Sequence, residues 1–307
     1  MRTRAWRWAR RAGAVALLAL VLQHFGTGPF LTGIRAVRID AVLAVAGITV
    51  LTTVCSAWRW RLVSRGHGVD LPLRTATAAY YRSQFLNSTL PSGVLGDVGR
   101  ALRLGRDAGS TRRGVRAVVE DRLAGQVVQA AATLAVLLVL DSPLRAATAM
   151  LLPAAAATAA VLGLLLLASG RVSARWSRVL RAGWADLRAG VLAARVLPGV
   201  AAASLLVAAG HVAVFLIAAR AAGTTGSLLR VLPVALLVML AMAVPVSVAG
   251  WGPREGVAAW AFGAAGLGAA QGVATATAYG VLALVAVLPG AAVIVAERLP
   301  RGRAGDR

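Results

Sequence analysis

The hydrophobic residues of this chain are gathered into long apolar runs that short polar segments separate. Two examples, Ala146–Ala168 and Gly272–Ala296, show the typical length of such a run. A helix needs about 20 such residues to cross about 30 Å of hydrocarbon. The pattern therefore predicts an all-α polytopic membrane protein, with a single integral membrane domain over residues 1–307.

Composition excludes a soluble enzyme fold. The 307 residues are 59% hydrophobic and 14% charged, with a mean hydropathy of +0.75, whereas soluble domains carry about 25% charged residues. No polar stretch is long enough for a separate catalytic domain of ordinary size. The lone cysteine, Cys55, lies in an apolar run and is interpreted as core filler.

The charge balance indicates membrane topology rather than nucleic-acid binding. Basic residues outnumber acidic ones by 33 to 11, and most lie between apolar runs, where the positive-inside rule places them. Trp58 and Trp60, beside Arg59 and Arg61, are interpreted as interfacial anchors. No nucleic-acid partner is expected.

When the arginine-rich segments are placed on the cytoplasmic side of the membrane, the sequence predicts about eight transmembrane helices, with both termini in the cytoplasm. The first crossings are predicted at about residues 12–31 and 39–57, and four more at 117–140, 144–168, 197–219 and 229–249. A short seventh element covers 256–270, and the last crossing follows it. The tails 1–11 and 298–307 are cytoplasmic. Residues 171–195 are predicted to form a cytoplasmic amphipathic loop that attaches to anionic lipid.

Two segments are too broken by proline and glycine to face lipid. Residues 75–98 lie between two cytoplasmic blocks and must enter and leave by one face, which predicts a re-entrant segment. Residues 244–255 form a second broken segment. Pro91 and Pro245 lie half a chain apart, and matched broken segments point to a substrate site between two repeats of a transporter. We hypothesise an internal two-fold repeat, although clusters of Pro, Ser and Gly also occur in ordinary loops.

The candidate substrate-binding residues come from these segments and from the start of the third crossing. Charged groups near membrane depth are costly and usually functional, and the arginine fork matches phosphate oxygens. The acids could instead form structural pairs with the arginines, and the polar residues could satisfy loop backbone. The candidates are Asn87, Pro91, Ser92, Gly96, Asp97, Arg100, Glu120, Asp121, Arg122, Pro245, Ser247, Gly250, Gly252, Arg254 and Glu255.

No cofactor or metal site is predicted. His24, His67 and His211 lie on different segments without a carboxylate at ligand spacing, so they are interpreted as solitary interfacial or core residues. No glycine-rich phosphate loop or nucleophile elbow occurs. Any transport of a substrate through the predicted site would therefore run down a gradient or be coupled to ions.

At these same positions the sequence resembles the lysylphosphatidylglycerol synthetase transmembrane, or flippase-like, family. The resemblance covers roughly residues 10–300 and rests on three blocks in order. They are Leu90-Pro91 with Gly96-Asp97 and Arg100; Glu120/Asp121-Arg122-Leu123; and Pro245, Ser247, Gly250, Gly252, Arg254 and Glu255. The family pattern has one acid before the arginine of the middle block, and Glu120 and Asp121 both qualify.

The resemblance implies an inner-membrane protein with re-entrant helices that moves aminoacylated or glycosylated lipid between leaflets. We expect a non-enzymatic, flippase-like protein that binds a phospholipid or a lipid-linked sugar, including polyprenyl-linked forms. The aminoacyl-transfer domain of bifunctional relatives is not seen, so we expect no aminoacyl-lipid synthesis. Two alternatives stay open: a membrane-embedded lipid-phosphate or glycosyl-transfer enzyme with Asp97 or Glu255 as general base, and a non-catalytic partner of a glycosyltransferase.

Overall fold

A computed structural model describes residue 23 and residues 26–90, 93–140, 144, 193–242 and 252–298. All the regular secondary structure in these ranges is helical. In chain order the helices are α1 (Gly28–Arg35), α2 (Ile39–Gly66), α3 (Leu73–Thr89), α4 (Leu95–Asp107), α5 (Thr111–Val139), α6 (Leu197–Ala221), α7 (Leu228–Ala241), α8 (Pro253–Ala264), α9 (Ala269–Ala286) and α10 (Pro289–Arg298).

Four stretches among the described residues are long and apolar enough to cross a membrane: α2, α5, α6 and Ala269–Arg298, which joins α9 and α10. They confirm the predicted all-α, multi-pass membrane protein. Helix α2 continues past its predicted end at residue 57 to Gly66 and carries Arg59 within it.

The shorter elements flank these stretches. Helix α7 ends at Ala241, and residues 243–249 of the crossing predicted there lie outside the described residues. Helix α8 has 12 residues, about 18 Å of helix, which is too short to cross a bilayer, as predicted for the seventh element. The crossing at 144–168, most of that at 12–31 and nearly all of the amphipathic loop at 171–195 also lie outside the described residues.

Proline and glycine set where several helices begin and how closely they pack. Pro29, Pro198 and Pro253 occupy the first turns of α1, α6 and α8, where the missing N–H group costs nothing. A methyl group on Gly114 of α5 would lie 2.2 Å from the Ala101 carbonyl oxygen of α4. Helices α4 and α5 therefore form a close hairpin that only glycine permits.

A second hairpin is built in the same way. A methyl group on Gly272 of α9 would lie 2.3 Å from the Ala258 carbonyl oxygen of α8. Gly114 and Gly272 are each the fourth residue of their helix. Both hairpins follow a broken segment and begin with the charged residues that the sequence singled out.

The hydrophobic core has two main parts. The larger joins Val45, Phe215, Phe262 and Leu282 from α2, α6, α8 and α9, and the smaller joins side chains of α2–α5, including Leu104. Residues from α2 through α9 enclose a polar cavity.

Candidate functional site

The cavity has a volume of about 360 Å³ and is amphipathic. Arg59, Asp97, Arg122 and Arg254 contribute its charged surface, together with hydroxyl and amide groups of α2, α3 and α5. An apolar wall includes Val214 and Leu284. A pocket of this kind suits a ligand with a charged end and an apolar end.

Asp97 is the first centre of charge. Its carboxylate accepts hydrogen bonds from Ser83 Oγ at 3.0 Å and Asn87 Nδ2 at 2.9 Å. It also forms ion pairs with Arg100 Nη2 at 3.1 Å and with the Arg122 guanidinium. Four donors from three helices therefore hold this carboxylate in its charged form.

The hairpin of α3 and α4 brings Asp97 to this position. A methyl group on Gly96 would lie 2.2 Å from the Ser83 carbonyl oxygen, so glycine lets the two helices touch. The Gly96 N–H donates to Asn87 Oδ1 at 2.8 Å across the break. Asp97 lies in the first turn of α4, where the helix dipole favours a negative charge.

Asp121 is the second centre, and its side chain is fully buried. It accepts from Arg59 Nε at 2.8 Å, from Arg100 Nη2 at 3.1 Å and from the Tyr80 hydroxyl. Arg59 also donates to Ser204 Oγ of α6 at 3.1 Å. Asp121 thus ties together four elements that are distant in the sequence.

Arg100 links the two aspartates. Its guanidinium lies over the Tyr80 ring at 3.9 Å and the Trp60 ring at 4.6 Å. Within the described residues its Nε and Nη1 atoms have no hydrogen-bond partner, so ring faces stabilise the part of the cation that the carboxylates leave uncovered. We call the alternating set Arg59, Asp121, Arg100, Asp97 and Arg122 the charge network; three arginines and two aspartates leave it with one excess positive charge.

Arg254 and Glu255 form a second, more local cluster at the start of α8. Glu255 accepts from Arg254 Nε at 2.8 Å and Nη2 at 2.5 Å, and from the Gly252 N–H at 2.7 Å. Gly252 has φ of 115°, a conformation that side chains disfavour. The Arg254 guanidinium lies 5.6 Å from the Tyr279 ring, in space that Gly280 leaves open.

The structure thus places the predicted residues in different surroundings. Asn87, Gly96, Asp97, Arg100, Asp121 and Arg122 meet in and around the charge network, and Gly252, Arg254 and Glu255 form the local cluster. The cavity touches both groups, through Arg59, Asp97 and Arg122 of the charge network and Arg254 of the local cluster. Pro91, Ser92, Pro245, Ser247 and Gly250 lie outside the described residues.

Glu120 faces away from the network. Its carboxylate lies 2.9 Å from His67 Nε2, so the interpretation of His67 as solitary is wrong. Successive helical residues point about 100° apart, and only Asp121 of the adjacent acids reaches Arg100. No group of three or more potential metal ligands occurs in the part of the chain that the structure describes.

Sequence reasoning missed several side chains of this region. Trp60, predicted to be an interfacial anchor, is only 2% exposed and is a ring partner of Arg100. Arg59, predicted to lie beyond the second crossing, is 6% exposed within α2. The sequence does not single out Tyr80, a direct partner of Asp121. Trp58 is 38% exposed.

The helices and this site define a class: a multi-pass α-helical membrane protein with buried arginine–carboxylate clusters beside an amphipathic cavity. The family model of the lysylphosphatidylglycerol synthase TM region matches residues 7–290. The chain belongs to this family, as the resemblance predicted, and is a membrane protein of a family involved in lipid handling. No curated protein and no solved structure shows a significant match.

Proposed function

We propose that the protein binds a phosphate-bearing lipid in its cavity and moves it between the two leaflets of the cell membrane. The headgroup is aminoacylated, glycosylated or polyprenyl-linked. The observation that carries this proposal is one cavity whose lining combines arginines with apolar side chains such as Val214 and Leu284. A lipid is the ligand whose own two ends match those surfaces.

Arg122 is the arginine best suited to exchange partners. Its side chain is 42% exposed while it pairs with Asp97. Asp97 retains Ser83, Asn87 and Arg100 when that pair opens. A headgroup phosphate can therefore take the Arg122 fork without leaving Asp97 unpaired.

Arg254 also lines the cavity. Its side chain is 5% exposed, so a phosphate would meet it away from bulk solvent, where charge-assisted hydrogen bonds are stronger. The paired Glu255 orients the guanidinium along the cavity wall. Between them Arg122 and Arg254 supply two forks for one headgroup.

The same geometry supports binding rather than general-base chemistry. Asp97 accepts from four donors, and Glu255 is fully buried and accepts from Arg254 and Gly252. A carboxylate whose oxygens are already occupied by donors of the protein is poorly placed to take a proton from a substrate. Formation of a new lipid product by the purified protein would instead favour the enzyme alternative.

We propose that the chain crosses the membrane about eight times, with two re-entrant segments and both termini in the cytoplasm. Helix α3 ends at Thr89, α4 begins at Leu95, and the two helices pack against each other. The short α8 follows α7 in the chain and packs against it, as α4 packs against α3. These paired broken hairpins support the hypothesis of an internal repeat.

The test is transbilayer movement of headgroup-labelled lipids in vesicles that contain the purified protein. We expect Arg254→Ala to slow movement about tenfold, since one charge-assisted contact to a phosphate is lost. Arg106→Ala is the matched control, because Arg106 is exposed on α4, and it should leave the rate unchanged. An unchanged rate for Arg254→Ala in folded protein would contradict the proposal.

A further inference from the structure

A third cluster of charges lies outside the cavity and joins α10 to the α3–α4 hairpin. Arg82 Nη1 of α3 donates to Glu297 Oε1 at 3.1 Å and Oε2 at 2.9 Å. Arg103 Nη1 of α4 donates to Glu297 Oε2 at 2.7 Å. None of the three side chains lines the cavity.

This cluster has more donor capacity than its carboxylate uses. Two guanidinium groups share one carboxylate, which leaves one excess positive charge. Arg82 has a side chain 4% exposed, and its Nη2 atom is buried without a hydrogen-bond partner among the described residues. A buried donor that stays unpaired is unfavourable, so an anion with more acceptor oxygens than a carboxylate would be favoured here.

The ion pairs are not needed to hold α10 in place. A methyl group on Gly290 of α10 would lie 2.2 Å from the Tyr81 carbonyl oxygen and 2.7 Å from Phe85 Cβ. Close backbone packing therefore already fixes α10 against α3. Glu297 can change partner while the helix stays docked.

The cluster lies at the depth of lipid headgroups. Glu297 and Arg298 are the last residues of Ala269–Arg298, a stretch long and apolar enough to cross the membrane. The charged end of such a stretch emerges at the membrane–water interface. The side chains of Arg103 and Glu297 are 49% and 35% exposed, so the cluster is open to that interface.

We propose that Arg82 and Arg103 form a second anion site, for the phosphodiester of an anionic phospholipid at the membrane surface, which Glu297 occupies when no lipid is bound. A phosphodiester carries one negative charge, like the carboxylate it displaces, and has two non-bridging oxygens, one for each arginine fork. On binding, the Glu297 carboxylate moves out and the phosphate takes its place. This site does not depend on lipid movement through the cavity.

The proposal and a purely structural ion pair predict opposite effects of one substitution. Removing the charge of Glu297 removes a competitor for the phosphate, so Glu297→Gln should tighten binding of phosphatidylglycerol about threefold to fivefold, the range of one partly exposed ion pair. Arg103→Gln should weaken binding by a similar factor. Arg106→Gln, exposed on the same helix, should change little.

Binding is measured by native mass spectrometry of the full-length protein titrated with phosphatidylglycerol in detergent. The titration is repeated in an Arg122→Ala, Arg254→Ala background, so that the cavity and the surface site are scored separately. Unchanged or weaker binding in Glu297→Gln would overturn the proposal, as would an equal loss in Arg106→Gln. Glycerol 3-phosphate should not compete at the same concentration; if it does, the lipid assignment is wrong.

Discussion

The charge network and the Arg254–Glu255 cluster both place an arginine at the cavity, but they are held in different ways. Asp121 in the network accepts from residues 62, 41 and 21 positions away. Glu255 accepts from residues one and three positions away. The network therefore depends on the packing of α2–α6, whereas the local cluster is oriented largely by the start of one helix.

This difference separates stability from ligand binding. Removing Asp121 weakens the pairing of buried arginines on two other helices, α2 and α4. Removing Arg254 leaves one buried acid, Glu255, without its arginine, and both residues lie at the start of α8. Variants at Arg254 are therefore expected to disturb the fold less than variants at Asp121, and their lipid movement is measured on folded protein.

The largest expected difference follows from neutralising one acid in each group. Asp121→Asn removes the carboxylate that pairs with Arg59 and leaves Arg100 only Asp97, so it should lower the free energy of unfolding by about 3–5 kcal/mol. Glu255→Gln removes the carboxylate from one buried arginine, and its amide oxygen can still accept from Arg254 and Gly252, so we expect a smaller loss of about 2–3 kcal/mol. Denaturant unfolding in detergent micelles measures both values. Equal losses would mean that the charge network and the local cluster are held in the same way. The control is Asp107→Asn, at an exposed position at the end of α4, which should change the free energy of unfolding very little.

A smaller effect on stability is expected from filling the space that holds the Arg254 guanidinium. The added methyl group of Gly280→Ala would lie 2.3 Å from Arg254 Nη2, so the guanidinium must move. We expect a stability loss of about 1 kcal/mol together with a clear loss of lipid movement in vesicles. Gly47→Ala is the control, since nothing lies within 4 Å of a methyl group there. Normal lipid movement in Gly280→Ala would contradict a headgroup role for Arg254.

The smallest effect on stability is expected at the exposed end of the network. Arg122→Lys keeps the charge but loses the planar fork, and solvent screens the partly exposed pair, so unfolding should change by less than about 0.5 kcal/mol. Lipid movement should still fall about threefold, because one of two parallel hydrogen bonds to phosphate is lost. Stability is measured by thermal unfolding and lipid movement by the vesicle assay, both on the same preparation of protein. A large loss of stability would mean that Arg122 is a structural member of the network.

The long helices and the acid–arginine clusters could be predicted because both leave local signals. Apolar runs give the spans of α2, α5 and α6, and Asp97, Asp121 and Arg254 stand out as charges beside broken or apolar segments. Gly252 next to Pro253 marks the start of α8. Each of these features is recognised from residues that are close together in the sequence.

The contacts that the sequence does not predict, such as those of Arg59 and His67, depend on packing between segments that are distant in the sequence. Arg59 follows a long apolar run and has the sequence context of an interfacial arginine, but the helix continues to Gly66 and the side chain turns towards Asp121. The choice between Glu120 and Asp121 likewise requires knowing where α2 and α4 lie around α5. His67 and Glu120 are 53 positions apart, and no local pattern links them.

The length of α2 and α5 has a consequence for the bilayer itself. With 28 and 29 residues the two helices measure about 42 Å and 43 Å, well beyond a hydrocarbon layer of about 30 Å. The charged parts of both helices therefore project into the headgroup layer, or the helices tilt. Arg59 and Asp121 lie where the apolar parts of the two helices end, so the thickness of the host membrane sets how far these buried charges are from water.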